Sequence, residues 1–364
     1  MSINRDLADS AEIQPFGDNL IINGDMRIGQ RGYTFVSPTN TDYTLDRWMW
    51  TQVGQGAVTV ARYNSGQGIN DKHYNDLRVD VTTADTSLLA TDIYLIRQKI
   101  EGRMLTDSGW GAASAQDMTL SFVSNHTLAG TYCVALRNET LDRSYIAEYT
   151  QASGDTWEQQ EITIPGDVTG TWDRGTGIGI ELNWIIATSP TSSWVGTADS
   201  WTSTNDLNTA NQVNGMGSTS YNFRLANVKL EYGSAATSFV SRPFSVELDM
   251  CRRYYEKSYN LGVTPGTVTA LGADWIIISG IAVSTHLCGH ALHFQTNKRA
   301  APAVTCYSPV TGASGYVYDY SATAGDRVVT LSQLGQGGFW WYATTNGSKA
   351  SAQMGVQWEA DAEL

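Results

Sequence analysis

Residues 221–259, YNFRLANVKLEYGSAATSFVSRPFSVELDMCRRYYEKSY, decide how the chain divides. Tyr221, Phe223 and Leu225 alternate with Asn222 and Arg224, the period of a half-buried strand. The phase then reverses, and Val228, Leu230 and Tyr232 become the apolar positions. A period-two strand changes face only by gaining a residue, so the pattern predicts a bulge at Ala226-Asn227. Gly233 and Ser234 end the strand. Beyond Pro243, Phe244, Leu248, Cys251 and Tyr255 follow the spacing of one helical face. Glu247 and Asp249 precede Arg252 and Arg253, the charge order that a helix dipole favours. The stretch reads as the closing strand of one β domain, a connector, and a helix opening a second domain.

The rest of the composition agrees. The 364 residues suffice for two domains. The chain holds 35 glycines and only 16% charged residues, with Thr, Ser and Asn between short apolar runs, which is the composition of short strands and turns. Low charge suits a protein that buries surface in an assembly. The net charge of -13 argues against a nucleic-acid partner, which needs a basic face, and against adsorption to anionic membranes. The longest apolar run, Trp275 to Val283, is too short to span a bilayer, so no membrane insertion is expected. Cys133, Cys251, Cys288 and Cys306 are scattered among apolar neighbours and read as small core residues. The polar opening MSINRDLADSAE does not read as a signal peptide, and a reducing cytoplasm fits the free cysteines.

Taken in order, residues 1–17 form an arm and 18–240 a first β domain. The connector is 241–259, and 260–364 is a second β domain. Alternation predicts strands at Val58-Val60, Leu77-Val79-Val81, Tyr94-Ile96-Gln98-Ile100, Leu120-Phe122, Tyr132-Val134-Leu136 and Ile178 to Ile186. No fixed repeat is visible, which disfavours a β-helix or a propeller. Trp48, Trp50 and Trp184 fall in strands and read as core.

VKLEYGSAATSF followed by RPFSVELDMCRRYY resembles a junction in tail-fibre and receptor-binding proteins of tailed bacteriophages. There a "QLE-G-ATPFE" strand precedes "RP-ELALCQRYY"; here Lys229 stands for the Gln and Ser238 for the Pro. NLIINGDM with QRG, YTLDRW, RAAPAVTCYSPVTG and WEADAEL are similar to segments of the same family in the same order. The resemblance implies an all-β protein: an N-terminal arm, a jelly-roll β-sandwich like a carbohydrate-binding module, a short linking helix and a C-terminal trimerising β domain. It implies virion attachment through an arm like NRDLA, with Asn4, Arg5, Asp6 and Leu7, and assembly in the bacterial host cytoplasm. The implied partners are a homotrimer, other virion proteins and a host surface polysaccharide or other receptor.

Thr188 to Gly217 has no apolar period yet carries Trp194 and Trp201. A loop of this length inside a compact domain is usually functional or mobile. Sugar C–H faces stack on indoles while Asn and Asp side chains bind hydroxyls, so Trp194, Trp201, Asn205 and Asp206 are the glycan-binding candidates. The alternative for each indole is to pin the loop to the sandwich. Trp340, Trp341 and Tyr342 are adjacent, so at least one faces away from a core, towards a trimer contact or a receptor. His286, Cys288 and His290 alternate along one strand, and three copies on a trimer axis could ligate a metal; a buried hydrogen-bonded face is the plainer reading. No cofactor is expected.

The chain has no G-x-S-x-G, H-E-x-x-H or P-loop, and no G-x-G-x-x-G followed by a helix, so no enzyme is expected. Asp199 and Asp206 beside the loop tryptophans keep a polysaccharide-degrading tail spike as one alternative. A purely structural head decoration or tail connector is the other.

Overall fold

The computed structural model describes residues 19–64, 75–279, 287–321, 324–345 and 351–364. The arm, with Asn4, Arg5, Asp6 and Leu7, and His286 lie outside the described residues. The chain forms two units. The first comprises residues up to Arg27, Val36–Asp42 and Trp48–Pro243; the second comprises Ile28–Phe35, Tyr43–Arg47 and Phe244–Leu364. The continuous domain expected over 18–240 is therefore interrupted, because two short segments from the N-terminal third group with the C-terminal unit.

The strands up to the junction are β1 (Thr34–Val36), β2 (Met49–Val53), β3 (Ala57–Tyr63), β4 (Asp76–Thr83), β5 (Ile93–Glu101) and β6 (Met118–His126). They continue with β7 (Gly130–Arg137), β8 (Ser144–Gln151), β9 (Glu158–Ile164), β10 (Ile178–Thr188), β11 (Trp201–Thr202) and β12 (Asn222–Tyr232). Two six-stranded sheets result, ordered β1-β3-β4-β12-β6-β9 and β11-β8-β7-β10-β5-β2. The chain passes repeatedly from one sheet to the other, the winding of a jelly-roll sandwich. Between the sheets lie Trp48, Trp50 and Trp184, all fully buried as expected, although Trp48 stands one residue before β2 rather than in a strand. Trp184 packs on Trp48 at 5.5 Å and on Phe122 at 5.8 Å between ring centroids. His126 is buried in the same core, stacked on Phe223 at 4.1 Å and hydrogen-bonded to the Tyr149 hydroxyl at 2.9 Å.

The bulge expected in β12 is present. The register against β6 shifts between Ala226 and Lys229, and Asn227 has a positive φ of 50°. Phe223 and Leu225 before it, and Val228 and Leu230 after it, are all buried. At about 1.5–3 kcal/mol for each large apolar side chain removed from water, the extra residue keeps the whole strand attached to one core. Asn23-Gly24 forms a turn beside this strand: the Val228 N–H donates to the Gly24 carbonyl at 2.9 Å. A Cβ at Gly24 would stand 2.2 Å from the Val228 carbonyl oxygen, so only glycine fits.

The second unit opens with helix α1 (Phe244–Arg252). Leu248 and Cys251 are buried, as the helical spacing implied, while Phe244 is half in solvent. Tyr255 does not continue the helix. It begins β13 (Tyr255–Lys257), where the Arg31 guanidinium lies 3.6 Å from its ring centroid and its hydroxyl donates to Glu359 at 2.5 Å. The helix therefore fills only part of the 241–259 connector.

The remaining strands are β14 (Asp274–Ser279), β15 (Leu287–His293), β16 (Ala303–Tyr307), β17 (Tyr316–Asp319), β18 (Gly325–Val328), β19 (Thr330–Gly335), β20 (Gly338–Thr344) and β21 (Ser351–Asp361). Strand β21 is the spine. Its first half pairs with β14 and its last with β13 and β16, while β17 joins near its middle and carries β18. A second sheet, β15-β20-β19, closes over it. Cys288, Cys306, Phe339, Trp341, Met354, Val356 and Trp358 fill the space between. All four cysteines are free and buried, as expected. The early segments supply buried polar ties to this unit. Arg47 pairs with Glu363 and lies 3.5 Å from the Tyr254 ring centroid, and Gln30 donates to the Tyr255 carbonyl at 2.7 Å.

Candidate functional site

The long loop after β10 has a physical reason to lie flat. Leu182 and Trp184 point into the sandwich, but Ile185, Ile93, Leu95, Cys133, Ala135 and Ile146 form a second apolar cluster with Leu207. Trp194 packs on this island. Its carbonyl accepts the N–H groups of Leu207 at 2.9 Å and Asn208 at 3.2 Å. Gln212 accepts the Cys133 N–H at 2.7 Å, which ties the far side of the loop to β7.

Trp201 goes elsewhere. It opposes Tyr145 through the β11–β8 pairing, and its ring lies 5.3 Å from Trp110 and 5.4 Å from Trp172. Its indole N–H donates to the Pro165 carbonyl at 2.7 Å. Each loop tryptophan is thus half-buried against a different neighbour.

The polar candidates are also engaged by the chain itself. Asn205 accepts a hydrogen bond from Arg137, which pairs with Glu181 at 2.6 Å. Arg97 reaches the same carboxylate at 3.4 Å. Burial alone would raise the Glu181 pKa, but Arg97 and Arg137 outweigh it and hold the carboxyl below its ordinary value. Asp206 is buried and accepts from the hydroxyls of Thr202 at 3.1 Å and Thr204 at 2.5 Å, while its N–H donates to Ser144 at 3.1 Å. Asp199 sits at a φ of 60°, with its N–H on the Ile146 carbonyl at 2.8 Å. Burial and then the Asp199 charge push the Tyr145 phenol up to about 12. The geometry of this loop is that of a fastened cover.

The C-terminal unit differs. In β20, Phe339, Trp341 and Ala343 face the core, while Trp340 and Tyr342 face outward with ring centroids 5.3 Å apart. Small residues on β15 make room for them: Ala291 opposes Trp340 and Gly289 opposes Tyr342. A groove of 310 Å³ runs beside Trp340, bordered by His293, Gln333 and the glycines of the β19–β20 turn. A register shift between Ser332 and Gly335 and a positive φ of 51° at Gln333 re-aim that side chain. Among the described residues, the Trp340 indole N–H, the His293 ring and the Gln333 amide have no hydrogen-bond partner. An indole face beside open donors and acceptors can stack on a sugar ring and meet its hydroxyls. The adjacent aromatics signalled an outward ring; nothing in the sequence singled out His293 or Gln333.

Cys288 and His290 share a side of β15 opposite Ala343 and Trp341, as their alternation implied. Cys288 is buried, while the exposed His290 ring bonds Asp274 at 2.9 Å. Among the described residues no three His, Cys, Asp or Glu side chains are placed to hold a metal ion. No described helix is long and apolar enough to cross a membrane.

No protein-family model matches the chain, and no curated protein matches it. Solved structures do. The enzymatically active domain of tailspike protein 4 of bacteriophage CBA120 is similar at 11% identity and a TM-score of 0.30 over 59% of this chain. That match spans only 21% of the tailspike chain. The family 11 carbohydrate-binding module of the cellulosomal cellulase Lic26A-Cel5E of Clostridium thermocellum is similar at 14% identity and a TM-score of 0.29, over 56% of this chain and 98% of that one. The module TmCBM61, solved with β-1,4-galactotriose, is similar at 9% identity and a TM-score of 0.29, over 59% and 99%.

Proposed function

We propose that this chain is a non-enzymatic fibre protein of a phage virion that binds a host-surface glycan. Residues 1–17 attach it to other virion proteins, the C-terminal unit joins three copies, and assembly takes place in the host cytoplasm. The phage-like junction at Val228–Tyr255 supports the virion half of this reading. The observation that carries the glycan half is Trp340, an outward indole beside a groove whose polar side chains make no hydrogen bond within the described residues. The apolar outer face of the same unit, with Ile277 and Val328 about 70% and 67% exposed and Trp275 laid over Gly355, supports self-association. Three linked copies would multiply a weak sugar contact by avidity.

The test joins a glycan array to a host-adsorption assay. The protein competes with the virion for host cells and binds a defined glycan class, and Trp340→Ala weakens both. Light scattering at micromolar concentration gives a trimer; a monomer removes the avidity.

One observation favours a second reading, a purely structural head decoration or tail connector. Trp194, Trp201, Asn205 and Asp206 all serve the fold of their own loop. An array without hits, with host adsorption unaffected by Trp340→Ala, selects it.

A further inference from the structure

The bulge in β12 does more than preserve the core. Above it, on the outer face of the first sheet, lies a groove of 540 Å³, within the size range of small-ligand sites. Its floor comes from β6 and β9, where Ser121 opposes Glu161 and Val123 opposes Gln159. Asn227, the residue in the left-handed conformation at the bulge, forms one wall. The strap 236–241 forms the other, with Ser238 and Phe239 on the groove.

Both ends of this strap are fastened. Glu231 accepts the Thr237 N–H at 2.8 Å and its hydroxyl at 2.6 Å, and the buried Lys229 pairs with Glu231 at 2.9 Å. At the other end Arg242 donates to the Ile21 carbonyl at 3.0 Å, and Arg27 donates to the Arg242 carbonyl at 2.7 Å. Between these anchors the groove side chains are left open. Among the described residues, Ser121, Gln159, Glu161, Asn227 and Ser238 make no side-chain hydrogen bond. In the loop after β10, by contrast, Asn205 and Asp206 bond within the protein.

We infer that this groove is a saccharide site of the first unit, and that it takes a neutral sugar unit of a glycan chain. Two amides and two hydroxyls supply paired donors and acceptors, which is what neighbouring sugar hydroxyls require. Val123 and Phe239 offer apolar surface to the C–H face of a ring. Among the described residues, Glu161 is the only ionisable side chain of the lining. With a net charge of -13 behind it, it accepts hydroxyl protons and repels carboxylated or sulfated sugars. This inference rests on the proposed glycan-binding function but places a site apart from Trp340.

The experiment titrates the full chain with neutral hexose and N-acetylhexosamine oligosaccharides and with glucuronate-containing ones, by calorimetry and saturation-transfer NMR. The expected result is binding of a neutral oligosaccharide and at least tenfold weaker binding of the acidic set. Glu161→Gln, Gln159→Ala and Asn227→Gly each remove groove contacts at exposed or glycine-compatible positions, so unchanged thermal unfolding verifies their fold. Each is expected to weaken binding about tenfold, the loss of one good hydrogen bond. Binding that survives the triple variant and is lost only with Trp340→Ala overturns the groove and upholds the broader reading. A wild-type chain that binds no oligosaccharide at all overturns both.

Discussion

The Glu231 carboxylate accepts both the backbone N–H and the hydroxyl of Thr237, six residues further along the chain, and so clamps the strap to the strand it leaves. Lys229 completes the clamp from a buried position. Glu231→Ala takes the carboxylate away from the buried Lys229 ammonium, which costs about 3 kcal/mol or more. Urea denaturation reads that loss directly. Replacing Lys229 and Glu231 together by Met and Leu is expected to restore most of the stability, because the charge that needed a partner is gone.

Asn227 occupies a backbone conformation that Asn and Gly tolerate and β-branched residues do not. Asn227→Gly is expected to leave stability nearly unchanged, whereas Asn227→Val costs about 1–2 kcal/mol. Deleting the residue is far worse. It turns Val228 and Leu230 out of the core and is expected to abolish cooperative unfolding by calorimetry.

Trp340 and Trp341 are adjacent and should respond oppositely. Trp341 is fully buried and its N–H meets Asp274 at 3.2 Å, so Trp341→Ala costs about 3–5 kcal/mol. Trp340→Ala is expected to cost about 1 kcal/mol or less while weakening glycan binding. Thermal unfolding and array binding, measured on both variants, separate the two roles.

His126 gives the molecule an acid sensitivity. Burial pushes its pKa down to about 3, below the value near 6.5 of an exposed imidazole. Between those values the unfolded chain binds a proton that the folded chain does not. Stability therefore falls as the pH drops through that window, by up to about 1.4 kcal/mol per pH unit. Urea midpoints at pH 7 and pH 5 should show the decline, and His126→Gln should flatten it.

The four cysteines should be silent in the native state. Burial pushes the Cys133 thiol up to about 11 and Cys306 up to about 12, so neither is a thiolate at neutral pH. A thiol reagent is expected to label none in the folded protein and all four in urea.

What could be read from the sequence was whatever alternation or helical spacing encodes. The phase reversal at Ala226-Asn227 announced the bulge, and strand position announced the buried Trp50 and Trp184. The end of α1 was not legible, because Tyr255 suits a helical face and a strand equally until pairing with β21 decides. The near-continuous apolar run of β10 hid a second apolar island, so pinning of the loop by its tryptophans was legible but the surface Trp194 covers was not. The polar groove was invisible for a different reason. Ser121, Gln159 and Asn227 become neighbours only through strand register, and free hydrogen-bonding capacity has no signature in composition.

The C-terminal unit has an unusual timetable. Its buried Arg47 is translated early, while the carboxylate that neutralises it, Glu363, lies 316 positions later. Arg47 must therefore wait, solvated and unmatched, while an entire jelly roll is synthesised in between. Contacts this distant close slowly. The second unit is thus expected to mature only after Glu363 has been synthesised, and a truncation just short of Glu363 should strand it half-assembled while the first unit folds normally.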